Sequence, residues 1–175
     1  MSAPGAVTVR HARTGDAPDL GLLHVRAWQA AYRGQMPDGF LDGLRPEDRQ
    51  AGWERALGRD RTHDPVLVAE RDGRVVGFAV LRAAEDPRGA GELGAINVDP
   101  DHWGTGAGRA LLAAAHEELA RLGYREAVLW VLPGNRRARR FYEIAGWVAD
   151  GAERNIELSG VTVPEVRYRR RLEGG

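Results

Sequence analysis

Apolar residues fall at every second position in some stretches and at every third or fourth in others, and each change of period marks a new element. Val7 to His11 alternate and predict a short strand. Thr14 and Asp16 then offer helix caps and Pro18 fits a first turn. Leu20, Leu23, Ala27, Ala30 and Ala31 follow at helical spacing, up to a closing Gly34. After the connector MPDGFLDGL, a second helix is predicted over about Pro46 to Leu57. VLVAE and RVVGFAVLR are β-rich runs separated by Asp72-Gly73, a hairpin signal. Glu92 to Val98 predicts another strand, leading into a glycine-rich segment. A helix from about Gly106 to Leu122 puts Leu111, Leu112, Ala115, Leu119 and Leu122 on one face, with Gly123 just past its end. EAVLWVL predicts a strand, GNRRARRFYEIAG a short helix, and GWVAD and PEVRYRRRL the last strands. The order β, α, α, β, β, β, α, β, α, β, β contains no repeat or linker, which predicts one α/β domain over residues 1–175.

Composition narrows the chemistry. With 175 residues, 43% of them apolar, the chain can fill one core. Its 25 basic residues, all arginine, balance 25 acids, so no basic surplus points to nucleic acid or an acidic membrane. A small-molecule or peptide partner is the expectation. The absence of cysteine excludes disulfides, thiolate metal sites and a catalytic thiol. The absence of lysine excludes a Walker phosphate loop. Histidines 11, 24, 63, 102 and 116 have no ligand-like spacing, so no metal site is expected. The first residues lack a charged and apolar leader, and no window approaches the ~20 apolar residues of a membrane span. The chain therefore reads as cytoplasmic and free of a membrane.

The stretch NVDPDHWGTGAGRALL sets Gly104, Gly106 and Gly108 at alternate positions where a strand passes into the longest helix. Glycine permits positive φ and lets a ligand approach the backbone, and successive N–H groups at a helix N-terminus favour an anion. The segment therefore predicts a phosphate or pyrophosphate site. Its G-x-G-x-G spacing does not fit the G-x-G-x-x-G nicotinamide fingerprint.

These residues resemble the acyl-CoA pyrophosphate loop of the GNAT superfamily of N-acetyltransferases, a Gln or Arg, two residues, Gly, one residue, then Gly or Ala. Trp103, Gly106 and Gly108 occupy those positions, so the first departs from the pattern. A second block, NRRARRFYEIAGW, resembles the family's N-x-x-A-x-x-F-Y-x-x-x-G-F through Asn135, Ala138, Phe141, Tyr142 and Gly146, with Trp147 for the final aromatic. The resemblance implies a mixed, mostly antiparallel sheet of six to seven strands, flanked by about four helices. Two of its strands splay apart to hold the cofactor arm. It implies acetyl-CoA as donor and a small-molecule or peptide amine as acceptor; relatives often pair into homodimers. The competing reading is a non-catalytic CoA-binding sensor or interaction module.

The resemblance also distributes roles. Tyr142 stands where relatives keep the tyrosine that protonates the CoA thiolate, and Glu92 where some carry a general base. Alternation sets Glu92 on the face of Gly94, Ile96 and Val98. Ile96, Asn97 and Val98, the loop Trp103, Gly104, Thr105, Gly106, Ala107, Gly108 and Arg109, and Asn135, Ala138, Phe141 and Tyr142 are the expected cofactor contacts. A backbone N–H near Val98 is the expected oxyanion donor, and the arginines at 136, 137, 139 and 140 are candidates for the 3′-phosphate. Trp28 and Tyr32, four apart on one helical face, with Met36, are expected to wall the acceptor pocket. With no cysteine to carry the acetyl group, the amine is expected to attack directly in a ternary complex.

Overall fold

The computed structural model describes residues 5–173, so the ends of the expected 1–175 domain lie outside the described residues. Strand β1 (Thr8–His11) leads into α1 (Ala17–Tyr32), α2 (Asp38–Asp42) and α3 (Pro46–Leu57). Strands β2 (Val66–Arg71), β3 (Arg74–Ala83) and β4 (Gly91–Val98) follow, then α4 (Ala107–Arg121), β5 (Glu126–Val131), α5 (Arg136–Ile144), β6 (Val148–Leu158) and β7 (Val161–Arg171). The sequence order holds, with α2 added inside the connector and both final strands longer than read. Pro18 lies in the first turn of α1, as its missing N–H allows. Asp16, expected as a cap, instead accepts from the Arg13 N–H at 2.7 Å and pairs with Arg10 at 2.8 Å.

The sheet has seven strands in the order β1-β2-β3-β4-β5-β7-β6. Of its pairs only β4 and β5 run parallel, and they pair only at Gly91–Ala127, Glu92–Val128 and Leu93–Leu129. Beyond Leu93 the two strands part. Gly94 is the extra residue of a β-bulge, since Leu81 faces Leu93 while Val80 faces Ala95.

Opposed residues of an antiparallel pair share a face. Ala79, Leu81, Leu93, Ile96 and Val98 pack with Leu111 and Leu119 of α4. Gly77 permits this close approach, because a Cβ there would lie 2.9 Å from Leu111. On the opposite face Phe78, Val80 and Ala95 pack with Leu20 of α1 and Trp53 of α3. Glu92 belongs to this second face, opposite Arg82. Simple alternation had grouped it with Ile96 and Val98; the bulge inserts one residue and reverses the parity. A third apolar cluster joins Met36 and Leu41 to Leu132 and Val163, with Trp28, Tyr32 and Phe40 against it.

Candidate active site

The parting of β4 from β5 opens a cleft of about 1070 Å³. That is at the upper end of the ~300–1,000 Å³ common for ligand pockets, enough for an extended cofactor and a second molecule. The Asp99 N–H donates to the Val76 carbonyl at 2.9 Å. By antiparallel alternation Asn97 then bonds toward β3, while Ile96 and Val98 turn their N–H and C=O groups away from it, into the gap. The Val98 carbonyl is taken by the Trp103 indole N–H at 2.9 Å.

The loop between β4 and α4 is built for its turn. Asp99 accepts from the Asp101 N–H and from Arg26 of α1 at 2.9 and 3.1 Å, tying the loop to the first helix. Burial opposes its charge, but the Arg26 and Asp101 hydrogen bonds hold its carboxyl below the ordinary range. Gly104 and Gly106 take φ of +75° and +93°, where a side chain is strained, and the space where their Cβ would stand is open. Gly106 is the N-cap of α4 and offers no side-chain cap. The first N–H groups of the helix therefore face the cleft without an intrahelical partner. At Gly108 a Cβ would meet Phe141 at 3.5 Å, an ordinary contact, so packing there does not demand glycine.

Positive side chains surround this end. Arg109, Arg136 and Arg137 line the cleft and form no ion pair among the described residues. The Arg137 guanidinium lies 3.5 Å from the centre of the Trp103 ring, a cation–π stack, and burial lowers its pKa from the ordinary value. Asn135 is buried and caps α5, its side-chain oxygen accepting from the Ala138 N–H at 3.2 Å.

Tyr142, buried on α5, lines the same cleft. Its ring packs beside Phe141, Trp147 and Tyr168. Its hydroxyl has no hydrogen-bond partner among the described residues, and burial, reinforced by Tyr32, raises its pKa above the ordinary tyrosine value. It is a protonated donor at neutral pH. Across the cleft Trp28 meets Tyr32 edge-on at 5.2 Å. Burial and then the charge of Glu165 push Tyr32 up to about 12.

Most of the residues expected from the sequence line this one cleft: Ile96 to Val98, Trp103, Gly104, Gly106, Gly108, Arg109, Asn135, Ala138, Phe141, Tyr142, Trp28, Tyr32 and Met36. Three do not. Thr105 turns its hydroxyl to the His102 carbonyl, Ala107 is buried in the core, and Glu92 is buried with both bonds from Arg82 on one of its oxygens. Sequence reading passed over Arg82, Trp130, Arg154 and Glu165, which line the cleft from β3, β5, β6 and β7. Arg154 faces Glu165 across the β6–β7 hairpin, whose turn is Ser159-Gly160 at φ +49° and +83°. That dipeptide was the available signal: a two-residue turn fixes the pairs next to it, Arg154 with Glu165 among them, up to the irregularity between Ala149 and Glu153. Among the described residues no cluster of three or more His, Cys, Asp or Glu is placed to hold a metal, and no helix is long and apolar enough to cross a membrane.

Residues 25–147 match the model of the acetyltransferase (GNAT) family. An uncharacterized N-acetyltransferase, YuaI of Bacillus subtilis, is 34% identical over 163 residues, covering 91% of this chain and 90% of its own length. A mycothiol acetyltransferase of Thermomonospora curvata is 37% identical over 147 residues, 84% of this chain, which spans 46% of that longer relative. The PaiA N-acetyltransferase of Thermoplasma acidophilum, solved with coenzyme A, superposes with a TM-score of 0.78 at 17% identity, covering 95% of this chain and 99% of that one. With the family model covering more than half its length and a third of its residues shared with a full-length relative, the chain belongs to the GNAT family of acetyltransferases.

Proposed function

We propose that this chain moves an acetyl group from acetyl-CoA to an amine, directly and within a ternary complex. The observation that carries the reading is the gap between β4 and β5. At one end it has two positive-φ glycines below a helix N-terminus, and along its side the backbone of Ile96 and Val98 faces inward. These features fit CoA: the open N–H groups and the arginines at 109, 136 and 137 suit its phosphates. The backbone of Ile96 suits its amide-bearing arm, and the Val98 N–H remains for the thioester.

Acetyl-CoA supplies the acetyl group as a thioester, which leaves a thiolate when the group passes to nitrogen. The chain's own groups manage the charge. The Val98 N–H donates to the carbonyl oxygen as negative charge builds on it. The Tyr142 hydroxyl gives its proton to the departing sulfur and regains one from solvent. Glu92 takes no part as base, because its carboxylate is buried against Arg82 and does not line the cleft. The amine loses its proton to water at the open end of the cleft.

The test is thiol release from acetyl-CoA with a panel of amines, with product mass measured. An acetylated amine and stoichiometric thiol are the expected result. Binding of acetyl-CoA without turnover on any amine would convert the reading to a CoA-binding module.

A further inference from the structure

The end of the cleft away from the glycine loop carries an unusual charge arrangement. Arg82 and Glu92 face each other across β3 and β4. The Glu92 side chain is 5% exposed and that of Arg82 51%. Arg82 spends Nε and Nη2 on a single oxygen of Glu92, at 3.1 and 2.5 Å, and its Nη1 has no partner among the described residues. The guanidinium lies against Gly94: a Cβ there would stand 3.2 Å from its central carbon. Burying a carboxylate for one ion pair seldom stabilises a fold more than apolar residues of the same volume. What it secures here is position, a half-exposed guanidinium fixed over the bulge where β4 leaves β5.

A second arginine agrees with it. Arg154 lies 4.2 Å from the centre of the Trp130 ring, and its Nε pairs with Glu165 at 2.7 Å. This leaves its outer nitrogens without a partner among the described residues. Glu165 supplies the carboxylate of the cleft lining, and Arg154 neutralises it. Each arginine there is matched by one carboxylate, so the acceptor end is formally neutral, yet outer guanidinium nitrogens of Arg82 and Arg154 remain without a partner among the described residues, beside apolar walls at Trp28 and Tyr32. A polyamine finds no unpaired carboxylate there, whereas an amine that also carries an anion finds guanidinium N–H donors to receive it.

Building on the acetyltransferase reading, we propose that the acceptor is a small amine bearing a carboxylate, amino-acid-like, whose carboxylate is received by Arg82 with Glu92 as the positioning residue. Steady-state acetylation of leucine and phenylalanine is compared with that of leucinamide, phenylalaninamide and spermidine. Calorimetric acetyl-CoA binding is measured on the same samples. The acids should exceed their amides by about tenfold or more in kcat/KM, the worth of one charged hydrogen-bonded contact. Arg82→Gln should raise KM for the acid by about the same factor, erase the acid–amide preference and leave acetyl-CoA affinity unchanged. Glu92→Gln should raise KM for the acid with kcat nearly intact, and Arg82→Lys, which keeps the charge beside Glu92, should restore part of the preference. Preference for amides or spermidine, a preference that survives Arg82→Gln, or acetyl-CoA binding with no turnover on either acid would overturn the proposal. Failure to bind acetyl-CoA at all would instead remove the acetyltransferase reading beneath it.

Discussion

The two ends of the cleft are made from different materials. At the loop end the backbone supplies the open groups: Gly104 and Gly106 at positive φ, the first N–H groups of α4, and the inward-facing peptide units of Ile96 and Val98. At the acceptor end side chains face the cleft, with Arg82 coming from β3 and Arg154 and Glu165 from the β6–β7 hairpin, far from β3 in the chain. A backbone site tolerates changes of side chain. Trp103 at the first loop position illustrates this, since its indole caps the Val98 carbonyl and its face carries Arg137. A side-chain site changes its ligand with each substitution. On the proposed function, the loop end therefore holds the cofactor through backbone, and the acceptor end sets specificity through side chains.

The largest effect is expected at Tyr142. Tyr142→Phe should lower kcat by roughly 100-fold or more while acetyl-CoA affinity holds, as measured by turnover and calorimetry. Unchanged turnover would take the hydroxyl out of the reaction. Next comes the wall behind the acceptor end. His24 is half-buried among Trp28, Trp53 and Phe78, and its partial burial with the charge of Arg49 lowers its pKa to about 4. The folded state keeps it neutral where the unfolded chain protonates it, so its contribution is present above pH ~6.5 and lost as pH falls toward 4. Up to about 3 kcal/mol depends on this group. Urea midpoints at pH 7 and 4.5 should differ more in the parent than in His24→Leu. His116, also lowered to about 4 by burial and Arg170, should leave the variant a residual slope.

Smaller effects divide the two ends. Gly106→Val places a β-branched residue at φ +93° and should weaken CoA binding about tenfold while leaving KM for the acceptor alone. If acceptor KM rose instead, the separation of the two ends would be wrong. Trp103→Ala should cost only a few-fold in CoA affinity, on the order of one partly exposed cation–π stack, and Arg137→Ala should then add little. Fully additive losses would show that the two residues act apart.

The same division explains what the sequence disclosed. The loop is local, its glycines, turn and helix lying within a few residues, so its chemistry is legible in a short motif. The acceptor end depends on register. Reading Glu92 by alternation failed because one glycine, Gly94, shifts the parity of everything before it, and only the pairing with β3 reveals the bulge. Arg154 and Glu165 meet because Ser159-Gly160 turns the hairpin, a dipeptide weaker as a signal than Asp72-Gly73. The register shift between Ala149 and Glu153 further breaks the period of β6. Helix α2, of five residues, is too short for periodicity to mark.

Calorimetric titration of acetyl-CoA, with ATP and NAD⁺ beside it, tests most directly whether the parted strands receive acetyl-CoA. One-to-one binding of acetyl-CoA, and none of the other two, is the predicted result. No heat with acetyl-CoA, or equal binding of ATP, would contradict it.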